Sequence, residues 1–197
     1  MIRTFLFKVI PVKSNTNYTY SFDAKGDLLI GRSGIYDAFP SDEEVSLHWN
    51  RVVAHAHITL KAIKGFTSGE TVNRIVLTAQ DGVNLVGQQK VNLITGEVTC
   101  DDTSSNVLTV DGKNLTFDSS GNVTFWACIL PAKVTSLNIV VITDKAAYTR
   151  EIKDCDLDFK KNARNVLGIN MASAVRQEVA DESWSLVSPA KTLSAGT

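Results

Sequence analysis

The residues with potential for metal binding or catalysis are few: three histidines, three cysteines and a scatter of serines and acids. His55 and His57 are two apart, so on a strand both rings leave the same face, roughly 7 Å from each other. That separation would let the pair share a metal with a third ligand. His48 is the other histidine, and no Asp or Glu stands at a spacing that completes the set. The simpler reading is two polar residues on the solvent face of an amphipathic strand. Asp101-Asp102 suggests calcium but lacks the alternating carboxylates and closing Glu of an EF-hand loop, and so reads as an acidic turn. Asp42-Glu43-Glu44 reads as a turn or helix start rather than an acid–base carboxylate pair. No G-x-S-x-G elbow, G-x-G-x-x-G turn or P-loop occurs. The expectation is a non-enzymatic chain with no catalytic residues, no cofactor and no metal.

Cys100, Cys128 and Cys155 are far apart and form no C-x-x-C pair. An odd number cannot all pair internally. Three small buried or half-buried thiols fit best, with one Cys128–Cys155 bridge left open. A chain of 197 residues buries roughly 70% of its unfolded surface and needs no staple. The net charge of −1 provides no basic stripe for nucleic acid or anionic lipid. No apolar run approaches the roughly 18 residues of a membrane-spanning helix. At the N-terminus Phe5, Phe7 and Val9 alternate with Thr4, Leu6 and Lys8, which is a strand pattern, and no small-residue cleavage site follows. An export leader, if used, is expected to lie outside this chain.

These residues must be positioned by β-structure. From Ala54 to Met171 short alternating apolar segments follow one another, each closed by Gly, Asp, Asn or Ser. Ala54, Ala56, Ile58, Leu60 and Ala62 share one face, with His55, His57, Thr59 and Lys61 opposite. Further strands are expected at Val72–Ala79, Lys90–Ile94, Val107–Val110, Val123–Leu130, Leu137–Thr143, Tyr148–Ile152 and Val166–Met171. Leu137–Thr143 carries apolar residues on both faces, as a central strand does. Tyr148–Ile152 is polar-faced and reads as an edge. Asp111-Gly112 signals a type I′ hairpin between Val107–Val110 and Leu115–Phe117. Tyr18–Phe22 is a further half-buried strand. Short helices are expected near 42–52, behind a Ser41–Glu44 capping box, and over 171–182, where Met171, Ala174, Val175 and Val179 are spaced helically. Turns every 8 to 12 residues or so predict an all-β, antiparallel Greek-key β-sandwich of about 7–10 strands. The domain is expected to span 1–175, with 176–197 as a tail or the start of a further segment.

Trp126, mid-strand in Phe125-Trp-Ala-Cys-Ile-Leu, reads as core or inter-sheet rim, whereas Trp184 and Leu186 form an apolar patch in the tail. The ordered phrases Arg51-Val-Val-Ala-His-Ala-His-Ile-Thr-Leu-Lys, Val72-Asn-Arg-Ile-Val-Leu-Thr-Ala, Lys90-Val-Asn-Leu-Ile-Thr-Gly-Glu-Val-Thr, Phe125-Trp-Ala-Cys-Ile-Leu-Pro, Leu137-Asn-Ile-Val-Val-Ile-Thr-Asp, Ala147-Tyr-Thr-Arg-Glu-Ile and Val166-Leu-Gly-Ile-Asn-Met resemble the fimbrillin family of the Bacteroidetes, the Mfa-like and FimA-like pilins. The resemblance covers about residues 48–172 and is weak over 1–47. It implies a β-sandwich at the cell surface or outer membrane, used as a structural or accessory fimbria (pilus) subunit. Its partners would be other pilin subunits, in a homo- or heteropolymer, joined by β-strand exchange, and a host protein or glycan. No cleavage site is carried over, since Arg3 and Arg32 are only basic residues in the appropriate half. Trp184 and Leu186 would belong to an exchanging strand. The alternative is a surface adhesin or glycan-binding sandwich, for which Tyr18, Tyr20 and Trp49 are the stacking candidates. No nucleic acid is expected as a partner.

Overall fold

The computed structural model describes Asp27 and residues 29–32, 48–87, 89–92, 95, 97–100, 104–113 and 115–178. The expected N-terminal strands with Tyr18 and Tyr20, the Ser41–Glu44 capping box, Asp101-Asp102 and the Trp184–Leu186 patch lie outside these residues. Among the described residues fourteen strands run in chain order: β1 Leu29–Arg32, β2 His48–Arg51, β3 Ala54–Lys61, β4 Val72–Ala79, β5 Gln89–Val91, β6 Val98–Cys100 and β7 Val107–Asp111. They continue as β8 Val123–Ile129, β9 Ala132–Val134, β10 Leu137–Thr143, β11 Ala146–Ile152, β12 Leu157–Phe159, β13 Arg164–Asn170 and β14 Val175–Glu178.

Two sheets form the layers. One has the order β14-β11-β10-β4-β7 and the other β13-β3-β8. Ribbons β1-β2, β5-β6 and β9-β12 supplement them. Alternation explains the layering. Ala54, Ala56, Ile58 and Leu60 of β3 and Val123, Phe125, Ala127 and Ile129 of β8 are buried. They join one core with Ile75, Leu77 and Ala79 of β4, Leu108 and Val110 of β7, and Leu137, Ile139 and Val141 of β10. The all-β sandwich expected from the alternation is the fold observed.

Four local expectations are corrected. His48–Arg51, within the expected 42–52 helix, is extended and pairs with β1 from Arg32↔His48 to Leu29↔Arg51. The expected 171–182 helix is, over its described residues, a turn at Ala172-Ser173 followed by strand β14. β14 straddles residue 175 and pairs with β11, Thr149↔Val175 to Ala146↔Glu178. The helical spacing has a different origin: Met171 enters the core, Ala174 packs against it, and Val175 is 61% exposed. Tyr148–Ile152 is an edge only in part: β14 covers Tyr148 and Thr149, and Tyr148 is fully buried, while Arg150 to Ile152 pair with β10 alone among the described residues.

The fourth correction concerns Asp111-Gly112. β7 pairs with β4 rather than with Leu115–Phe117, and Gly112 N–H donates to the Asn73 carbonyl at 3.0 Å. One pairing departs from the antiparallel rule: β13 runs parallel to β3 through seven register pairs, Arg164↔His55 to Asn170↔Lys61. Neither Cys128 nor Cys155 is in a disulfide, so the bridge left open between them does not form.

Candidate functional site

The cross-strand register composes the outer face of the three-stranded sheet. Arg164, His55 and Cys128 align across β13, β3 and β8, and Val166, His57 and Trp126 form the next row. The two histidines share a face, as their spacing requires, but have different partners. His55 is 9% exposed, and its Nε2 lies 3.0 Å from Asp27 Oδ1. Arg51 Nε donates to both Asp27 oxygens at 3.1 Å. The His57 ring instead packs on Trp126, with centroids 4.4 Å apart. The Arg164 guanidinium sits 4.9 Å from the indole centroid on the same face. Burial, then the Arg164 charge, pushes the His57 pKa below its ordinary value.

The solvated strand face expected for this pair is therefore largely covered, and no metal geometry arises: among the described residues no group of three or more His, Cys, Asp or Glu could hold an ion. The Asp27–His55 contact spans 28 residues, and no local spacing signals it. Cys128 lies opposite His55, giving the residue types of a nucleophile, base and orienting acid. The Cys128 residue is 2% exposed, however, and neither surface depression described below includes it.

A second polar cluster sits at one end of the sandwich. Glu70, only 3% exposed, accepts from Tyr148 Oη at 2.8 Å, Thr143 Oγ1 at 2.5 Å and the Thr67 N–H at 2.7 Å. Burial raises the Glu70 pKa, but these hydrogen bonds outweigh it and hold the carboxyl below its ordinary value. Arg176 of β14 donates to Tyr148 Oη at 3.4 Å. One carboxylate thus ties the β3–β4 loop to the β10–β11 turn, and through Tyr148 to the last described strand.

That loop walls a depression of about 570 Å³, faced by Phe66, Ser68, Thr71, Thr116, Phe117 and Ser119. A smaller depression of about 390 Å³ lies between Ile30, Arg51, Val98 and Asn162. Sheet edges are the remaining feature. Among the described residues β13 has one partner, β3, and Val166 on it is 64% exposed. Trp49 on β2 is 59% exposed, whereas Trp126 is half-buried on the outer face of the three-stranded sheet, not in the core or at the inter-sheet rim as expected.

These features define a two-layer β-sandwich with an accessible edge strand and a loop-end depression. No family model matches the chain, and no curated protein does. Among solved structures, the chain is similar to a candidate cell adhesion protein from Bacteroides ovatus, with TM-score 0.44 and 13% identity over 71% of this chain and 48% of that one. It is also similar to a candidate cell adhesion protein from Bacteroides fragilis, with TM-score 0.41 and 13% identity over 70% and 48%. The chain spans about half the length of these solved chains.

Proposed function

We propose that this chain is a non-enzymatic structural or accessory subunit of a cell-surface fimbria, joined to neighbouring subunits by β-strand exchange. The observation that carries the reading is β13. It is a seven-residue strand held on one side by β3, with no strand on its other side among the described residues. An exposed edge presents a row of backbone donors and acceptors that an extended segment can extend by β-augmentation. The ordered fimbrillin-like phrases from Arg51 to Met171 support the same reading.

The test is assembly. The mature protein is expected to give heat-labile, SDS-resistant ladders, and Val166→Lys, a charge on the exposed edge strand, is expected to shorten them with the monomer's melting unchanged. A wild-type protein that stays strictly monomeric would sink the proposal. A second reading, a surface adhesin or glycan-binding module, is favoured by the exposed Trp49 ring. Loss of glycan binding in Trp49→Ala would support it, and a glycan array without hits would count against it.

A further inference from the structure

We propose that the depression between the β3–β4 and β7–β8 loops is a binding site for a neutral saccharide. The first support is how its wall is held. Burying an ionised carboxylate is costly unless every oxygen is well bonded, and the core of this domain would be served as well by an apolar residue. Glu70 is nonetheless placed there with both oxygens engaged, one by Thr143 and Tyr148, the other by the Thr67 N–H and hydroxyl. The effect is to fix a surface loop, Phe66 to Thr71, relative to the sheet. A rigid wall is what a binding pocket requires, while a loop that merely connects β3 to β4 does not.

The second support is the chemistry of the lining. Phe66 and Phe117 are half-buried, with ring centroids 5.2 Å apart, and Phe117 is braced edge-on by Tyr148 at 6.1 Å. Around these fixed rings stand the exposed hydroxyl residues Ser68, Thr71, Thr116 and Ser119. Hydroxyls both donate and accept, which matches a ligand whose own polar groups are hydroxyls. Aromatic rings match the apolar C–H face of a pyranose.

The third support is charge. The two acids at the site are already engaged: Glu70 as above, and Asp118 by the Ser120 and Asn122 N–H groups and Asn122 Nδ2. At the rim Lys145 Nζ is bonded to Thr67 Oγ1 at 3.0 Å. That bond to a neutral hydroxyl leaves the ammonium charged, but the carboxylates of Glu70 and Asp118 outnumber it, so the site offers no net positive field to an anionic ligand, and its carboxylates are already satisfied by donors rather than open to a cation.

This inference names a ligand class for the adhesin reading and uses a different site from Trp49. The experiment applies the full chain to an array of neutral and sialylated glycans, followed by saturation-transfer NMR with the strongest neutral hit. Neutral glycans are expected to bind, and Phe117→Ala is expected to weaken binding by about tenfold. Because Phe117 also packs on the core, Ser119→Arg serves as a second variant that fills the exposed rim without touching it, and it is expected to abolish binding. Binding confined to sialylated glycans, or no binding at millimolar concentration, would overturn the proposal. Neutral binding lost in Trp49→Ala but retained in Ser119→Arg would overturn this site while leaving the adhesin reading standing. Fimbrial assembly is read separately, by the ladders.

Discussion

Glu70 shows how one side chain concentrates stability. Its carboxylate accepts from the buried hydroxyls of Thr143 and Tyr148; Glu70→Ala would strand the Tyr148 hydroxyl, while Thr143 Oγ1 keeps the Ala146 carbonyl at 2.8 Å. Stranding a buried donor costs more than a hydrogen bond contributes, so we expect a loss of about 2 kcal/mol by urea denaturation. Its pKa is depressed in the folded state. Its contribution is therefore complete above the unfolded carboxyl's pKa and is lost as pH falls through the folded one. Glu70→Gln should flatten the acid limb of the stability profile, and an unchanged limb would refute the assignment.

His57 has a depressed pKa for the opposite chemical reason, because the fold favours its neutral form. Stability should decline as pH drops below the ordinary histidine value of about 6.5. The ring contact with Trp126 offers a direct readout: protonation should alter indole fluorescence with a midpoint below that value, and His57→Gln should remove the transition.

At the scale of elements, the β-rhythm was largely legible. Val72–Ala79 and Leu137–Thr143 occur over the residues that alternation predicts, and Val123–Leu130 ends one residue earlier. These strands carry their own inward and outward pattern, so local sequence suffices. What failed was whatever depends on a distant partner. Asp111-Gly112 has the composition of a tight hairpin, but β7 finds a better neighbour in β4, thirty-odd residues earlier. Tyr148–Ile152 appears polar and edge-like until Arg176 and Glu70 are brought to the Tyr148 hydroxyl. The depression was not legible at all, because Phe66 and Phe117 are 51 positions apart and only the packed layers bring their rings together.

Loop geometry yields an element-scale prediction. Gly121 has φ +73, and a Cβ there would run into the Ile63 carbonyl. Gly121 O also accepts from the Ile63 N–H at 2.9 Å. Gly121→Ala should cost about 2 kcal/mol or more, read as a lowered melting temperature. A neutral result would mean that the loop relaxes freely.

For the whole molecule, the parallel pairing of β3 with β13 has a mechanical consequence. The chain enters β3 at Ala54 and leaves β13 at Asn170, and because the two strands run in the same direction these points lie at opposite ends of the pair. Tension applied along the chain, as on a tethered surface protein under flow, would load the pair longitudinally. All its hydrogen bonds would then share the force and break together rather than one after another. β14, held by four register pairs, should peel away first, followed by a single high-force rupture. Single-molecule pulling would show this as a small event followed by a large one. Asn165→Pro, which removes a donor within β13, should lower the second peak and spare the first. The strand that departs from the antiparallel plan would then be the part that bears load.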